Sequence, residues 1–357
     1  MDGAAPATVR RALDSREALP GTGGFAGELS GALVRDVLGR YPIFSEPEDP
    51  TTWSFDHRDL TNPRLVPAGC RRTEAGDEQV WTVPELPLFS SPTEAIKSVR
   101  AAVEGQLSPL PEDTPVAFSG GVDSAALGAY LDGPLYVTGF PGSHDIEAAQ
   151  SAARLLGKDL TVIEVSHDVL EAAIPEVARA TGRTNAMDVG IALPLYLTAK
   201  RAAADGYDTL AVGQGADELF GGYEKITRAP DDHRVAADTV RGAAREVIAT
   251  LADQLPRDVL ALRAAGVEPV APLLHDDVVE ASLRLPENLL VSPRGERKFA
   301  FRMAVREWTP DPIAFREKKA VQYGSLIARE LDRLARQAGY KKRMDDHVGQ
   351  YIASLLE

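Results

Sequence analysis

The stretch that decides the fold is Phe118–Ser124, "FSGGVDS", which follows Pro115-Val116-Ala117 and runs into "SAALGAYL" (124–131). An apolar run, two adjacent glycines and an alanine-rich segment read as a buried strand, a tight turn and a helix. Gly120 and Gly121 remove the Cβ atoms that would hold a ligand off the backbone. The amides then face outward at a helix N-terminus, where partial positive charge favours an anion. Ser119 and Ser124 add hydroxyls. Asp123 is out of place beside a phosphate unless Mg²⁺ lies between them, a carboxylate plus phosphate oxygens being the usual way that ion is held. The bland alternative is an ordinary glycine turn. A Walker loop is excluded, because G-x-x-x-x-G-K-[ST] has no instance in the chain.

Outward from this turn, strand and helix patterns alternate. "LYVTGF" (135–140), "LTVIEV" (160–165) and "TLAVG" (209–213) read as strands. "HDIEAAQSAARLLG" (144–157) and "IALPLYLTAKRAAADG" (191–206) read as helices, the first stopped by Gly157. Repeated strand–helix–strand units predict an α/β fold, a parallel sheet with helices on both faces, over residues 111–330. Ahead of it, residues 1–24 read as irregular and 25–85 as a small β-rich region of short strands. The alternation in Glu78–Val83 marks one of these strands. Residues 86–110 read as a connecting helix, capped by Ser91 or Thr93, with Ile96, Val99 and Val103 on one face. Residues 331–357 read as a helical tail, either packing in place or serving a subunit contact and so a homo-oligomer.

Composition narrows the partners. Acidic residues number 53 against 39 basic ones, a net charge of −14, and lysine is scarce relative to arginine. That balance weighs against nucleic acid, which needs clustered cations; "YKKRMDDH" (340–347) is short and diluted by acid. Acidic, lysine-poor usage suits solvation in high salt, a halophile-like pattern that a GC-rich genome would also produce. No run reaches the ~18 apolar residues of a membrane span, and the N-terminus lacks a signal-peptide core. The reading is cytoplasmic. The one cysteine, Cys70, reads as a structural thiol.

A second loop, "VGQGADELFGGY" (212–223), again follows a strand and is again rich in glycine and acid. Gly213, Gly215, Gly221 and Gly222 permit tight turns. Asp217 and Glu218 offer carboxylates, with a helix N-cap as the bland alternative for Asp217. Two aspartate-bearing loops at neighbouring strand ends suit one or two Mg²⁺ ions bound to ATP.

"SGGVDS" resembles the pyrophosphate-binding motif of the ATP pyrophosphatase (PP-loop) superfamily, and "GQGADELFGGY" resembles a signature of the asparagine synthetase family. "VTGFPGSHDIEAAQSAARLLG" is similar to that family's second strand and helix. "VEPVAPLLHDDVVEASLRLPENL" resembles its E-x-R-x-P-F-L-D segment through Glu268, Pro272 and Asp276, with Val270 where arginine is common. "KFAFR" (298–302) resembles its K-x-x-L-R helix, and "REKKAVQYGS" its R-x-K loop, with Lys318 at that lysine. The resemblance runs from about 111 to 325. It implies an adenine nucleotide alpha hydrolase-like fold and an AMP- and pyrophosphate-forming amide ligase. A carboxylate attacks the α-phosphorus of ATP, and ammonia or another amine then displaces AMP. It also implies roles. Asp123 and Asp217 hold Mg²⁺. Phe118, Ser119, Gly120, Gly121, Asp123, Ser124, Val137, Gly139, Gly213 and Gly215 contact the nucleotide, Phe118 and Val137–Gly139 being equally well explained as core strand. Lys318 and Glu268 are catalytic, with surface residues as the bland reading of each. Gln214 and Glu218 select the substrate.

The N-terminal region fits in part. "VRDVLGRYPIF" looks like R-D-x-x-G-x-x-P-L-Y of the family's glutaminase domain, an N-terminal nucleophile-type fold whose first residue is a catalytic cysteine. Here Asp2 follows Met1 and Cys70 lies elsewhere, so the expectation is a truncated remnant without glutaminase activity, with ammonia free or supplied by a separate glutaminase. Gln214 stands where asparagine-forming members carry an acid and related β-lactam-forming members a tyrosine. Aspartate is therefore the default substrate, and another acid and amine, ring closure included, the alternative. A tRNA-modifying PP-loop enzyme predicts a basic face and cysteines, and a non-catalytic homologue predicts loss of the aspartates.

Overall fold

In a computed structural model of the chain, residues 1–228, 239–316 and 321–356 are described. They fall into two compact units that interleave along the chain. The first comprises Met1–Pro109, Gly213–Pro256 and Ala271–Glu307; the second comprises Leu110–Val212, Arg257–Val270 and Trp308–Glu357.

The first unit begins with antiparallel strands. A five-stranded sheet has β1 (Asp2–Gly3), β2 (Phe25–Leu29), β3 (Ala32–Arg35), β7 (Cys70–Thr73) and β8 (Gly76–Gln79) in that order. A three-stranded sheet places β4 (Phe44–Ser45) between β5 (Trp53–Ser54) and β6 (Arg64–Leu65). The stretch read as irregular holds a helix, Pro6–Ser15, with proline in its first turn and Arg16 left-handed at its end. Its apolar face is too small to stand out as a helical pattern, since only Val9 and Ala12 are buried. The strand expected over 78–83 ends at Gln79. Beyond it Trp81 is drawn inward, its ring edge-on to Phe25 and its indole N–H donating to the Ala12 carbonyl at 3.2 Å. The helix Pro92–Leu107 buries Ala95, Val99, Val103 and Leu107, so Ala95 takes the inward place expected of Ile96, and Ser91 makes no side-chain cap.

Buried charge ties this unit's segments together. Arg40 pairs with Asp36 at 2.9 Å and with Asp276 at 2.7 Å, all three nearly inaccessible. It also donates to the Leu274 and Thr22 carbonyls, while Thr22 donates to Asp276 through its backbone N–H. Burial alone would lower the pKa of such a guanidinium, and the two carboxylates reverse that and raise it. Arg35, also buried, donates to the carbonyls of Tyr41, Val66, Gly39 and Ala252.

The second unit holds the expected parallel sheet. Its strands β9 (Val116–Ala117), β10 (Leu135–Gly139), β11 (Leu160–Glu164), β12 (Thr209–Ala211) and β13 (Glu268–Val270) lie in the order β11-β10-β9-β12-β13. All four pairings are parallel. Every residue of β10 is buried, as a strand covered on both faces must be. Tyr136 and Thr138 bond to Asp205 and Thr198 of the helix Ala186–Ala204 and its cap. Leu135 faces Gly128 of the helix Val122–Tyr130. Helices therefore cover both faces. The helices His167–Thr181, Ala186–Ala204, Ile327–Gln337 and His347–Ser354 share a core that includes Ile174, Val177, Leu193, Leu331, Leu334 and Ile352. The C-terminal stretch is thus a packing element, and the expected boundary at 330 cuts through a helix.

Candidate active site

Strand order reverses between β9 and β12, which lie side by side through the parallel pair Ala211↔Val116. In open α/β sheets ligands gather at this switch point. Residues 119–124 follow β9 there, with Gly121 as the N-cap of the helix Val122–Tyr130 and Asp123 in its first turn. Gly120 has φ +72°, and a Cβ on it would stand 2.5 Å from the Ala148 carbonyl. Only glycine both turns left-handed and lies this close on a neighbouring helix backbone. Asp123 and Ser124 are buried.

Both serines are bonded within the turn. The Ser119 N–H donates to Ser124 Oγ at 3.2 Å, and Ser124 Oγ donates to the Gly121 carbonyl at 3.2 Å. The Ser119 N–H and the Ser124 hydroxyl thus brace the turn internally, and the Ser119 hydroxyl lies 3.4 Å from that of Ser124. The Phe118 ring is buried against Gly128, and Val137 is a buried strand residue. A nucleotide would meet only backbone at these two positions.

In the first unit, the chain after β12 forms the second loop and a short helix, Ala216–Leu219, capped by Gly215 at φ +94°. Gly215 sits against Leu274, and Gly213 and Gln214 are half-buried. Asp217 lies inside the helix's first turn rather than at its cap. Its Oδ1 pairs with Lys298 Nζ at 2.6 Å, and Lys298 is almost wholly buried. Gly222 leaves the room for this pair, because a Cβ there would fall 2.0 Å from Asp217 Oδ1. Glu218, buried, accepts a hydrogen bond from the Tyr223 hydroxyl at 2.5 Å.

Glu268 is corrected. It opens β13 level with Thr209, at the amino end of the parallel strands and away from the edge that carries residues 119–124. It is exposed and paired with Arg263 at 2.8 Å. A proton acceptor for chemistry at the carboxyl edge cannot act from there. Counted position by position, the last residue of its motif falls on His275, and Asp276 is the buried partner of Arg40. Lys318 lies outside the described residues.

Sequence reasoning left two residues without a role. Lys298 heads the K-x-x-L-R stretch, and Arg316 is the arginine of R-x-K. Arg316 donates to the carbonyls of Gly120 (3.3 Å) and Ala148 (2.7 Å) and to Ser151 Oγ (3.1 Å). The motif spacing was the only signal for either.

The residues present suit magnesium-ATP in kind. Gly120 and Gly121 form a turn that a side chain would fill, and Asp123 supplies a carboxylate beside it. Among the described residues no three metal-ligating side chains converge into a ready-made cage; Mg²⁺ is commonly held by one or two carboxylates with phosphate oxygens and water completing the shell. Asp217 is a partial fit, since a buried ammonium already engages one of its oxygens.

The description of the asparagine synthase family matches residues 97–260 and 237–348, more than half of the chain. The chain is 29% identical over 269 residues to a putative glutamine-hydrolyzing asparagine synthetase of Methanocaldococcus jannaschii, covering 64% of this chain and 49% of that protein. It is 27% identical over 193 residues to asparagine synthetase B of Escherichia coli, covering 53% of this chain and 34% of the relative. The chain therefore matches half or less of the length of these two relatives. Among solved structures, the NMN synthetase of Francisella tularensis aligns over 75% of this chain and 94% of its own, at 12% identity and a TM-score of 0.34. Among the described residues no helix is long and apolar enough to cross a membrane.

Proposed function

The chain belongs to the asparagine synthase family, and from that premise we propose that it is an ATP-dependent ligase that adenylates a carboxylate and passes the acyl group to ammonia or another amine. The observation that carries this reading is the turn at Gly120–Gly121. It lies at the switch point of a parallel sheet, opens a helix, and has a buried aspartate two residues further on. The N-terminus of that helix favours the departing pyrophosphate's charge. Bound magnesium, with Asp123 as a protein ligand in this proposal, would neutralise that charge further. Lys318 is the proposed stabiliser of charge at the α-phosphate.

The chain's own residues define the rest of the proposal. Cys70 is buried, its thiol bonded to Gln79 Oε1 and pushed up in pKa by desolvation. A thiolate nucleophile needs the reverse, so glutamine hydrolysis is assigned to another protein and free ammonia is the default amine source. Substrates are small molecules rather than nucleic acid, and the site of action is the cytoplasm. Gln214 keeps the shape of glutamate without its charge, which favours a second reading in which the activated acid is not aspartate.

Magnesium-dependent ATP–pyrophosphate exchange with a panel of carboxylic acids, at low and high salt, tests this. Exchange should appear with at least one acid and fall by roughly 100-fold or more in Asp123→Asn, the scale of losing one charge-stabilising group. Exchange that the variant leaves intact, or absence of exchange with every acid, would refute the proposal. Aspartate as the sole active acid would refute the second reading.

A further inference from the structure

We propose that Arg316 is a positioning residue for the phosphate-binding turn, setting the direction of the amide that follows Gly120; this rests on the ATP-binding reading above. A trans peptide points its C=O and the next N–H in opposite directions, and the described chain contains no cis peptide. Whatever holds the Gly120 carbonyl therefore aims the Gly121 N–H the other way. Arg316 Nη1 donates to that carbonyl at 3.3 Å. The same nitrogen donates to the Ala148 carbonyl at 2.7 Å, and Nη2 reaches Ser151 Oγ at 3.1 Å. One planar guanidinium thus bridges the turn and the helix His144–Leu156, on whose backbone Gly120 is already pressed. A lysine ammonium lacks the rigid fork to span all three acceptors.

The surrounding segment shows the same design. Eight residues earlier, the Trp308 indole N–H donates to the Ala126 carbonyl at 2.9 Å, and its ring lies edge-on to Tyr130. Residues 308–316 therefore grip both the turn and the helix Val122–Tyr130 that the turn opens. The guanidinium itself is half-buried, and desolvation lowers its pKa. It remains charged at neutral pH, as arginine does.

The test separates positioning from folding by comparing nucleotides. Binding of MgATP and of AMP is measured by calorimetry on the full chain, for wild type and for Arg316→Met, Arg316→Lys and Ser151→Ala. Arg316→Met should weaken MgATP roughly 10- to 100-fold, the scale of a lost charged hydrogen bond, and leave AMP within about threefold. Arg316→Lys should fall between, and Ser151→Ala should show a small loss confined to MgATP. Equal losses for both nucleotides, or MgATP binding at wild-type strength, would overturn the assignment. Should Arg316→Met fail to fold, the other two variants decide by the same criteria. A wild-type protein that binds no MgATP would instead remove the reading on which this inference stands, and the inference with it.

Discussion

The two glycine-rich loops look alike in sequence and are held in opposite ways. In "SGGVDS" the backbone does the holding: Gly120 lies on a helix backbone, the Ser119 N–H and Gly121 carbonyl close on Ser124, and Arg316 caps the Gly120 carbonyl. In "GQGADELFGGY" side chains do it: Asp217 is paired with buried Lys298, Glu218 with the Tyr223 hydroxyl, and Gly222 stands clear of the ion pair. Glycine in the first loop permits close approach of main chain to main chain. Glycine at 222 makes room for a charged pair. The first arrangement presents amides, and the second presents carboxylates already committed to partners.

Substitutions at the two loops sharpen this contrast. Gly120→Ala should have the largest effect, because it imposes both a left-handed non-glycine residue and a clash with the Ala148 carbonyl. A loss of about 3–5 kcal/mol is expected in urea unfolding, and a loss under about 1 kcal/mol would show that the turn relaxes freely. Lys298→Met should cost about 2–3 kcal/mol, below the usual figure for a broken buried pair because Asp217 is partly accessible. The double variant Lys298→Met with Asp217→Asn should recover most of that stability. If it does not, the second loop is not governed by this pair.

Asp188 provides a control outside both loops. Burial pushes its pKa up, but hydrogen bonds from Asn185, Arg183 and Arg257 overcome this and hold it at about 2. A depressed carboxylate contributes stability that is full above its unfolded value near 4 and is lost as pH falls through about 2. Asp188→Asn should therefore cost under about 1 kcal/mol at pH 7 after allowance for solvent screening, and the gap from wild type should close between about pH 4 and pH 2. A gap that widens toward acid would contradict the assignment. Cys70→Ala should change least: amide synthesis from ammonia should stay within about twofold, and loss of that activity would tie the thiol to the chemistry.

Four strands of the parallel sheet were legible because they announce themselves within a few residues, with "PVAF" before two glycines and Gly157 ending a helix; the three-residue strand Glu268–Val270 and the helix His167–Thr181 were not read. The interleaving of units was not, since nothing local in Gly213–Pro256 says that it packs with the first 109 residues. Glu268 misled for a related reason. Its motif fixes order along the chain, whereas its role depends on which end of β13 it occupies, and that is set by pairing with Thr209. Lys298 and Arg316 were visible as motif letters but had no partners until the fold brought Asp217 and Gly120 to them.

The salt link from Arg40 to Asp276 has a consequence for how this chain can be divided. A version beginning at residue 86 would keep the whole parallel sheet, yet it would strand an aspartate that is 1% exposed, together with the Leu274 carbonyl, after removing the arginine that serves both. Removing one partner of a buried ion pair leaves the other charge uncompensated, so the segment around Asp276 depends on a cation supplied by the amino-terminal region. The amino-terminal region therefore has a structural task whatever chemistry it carries.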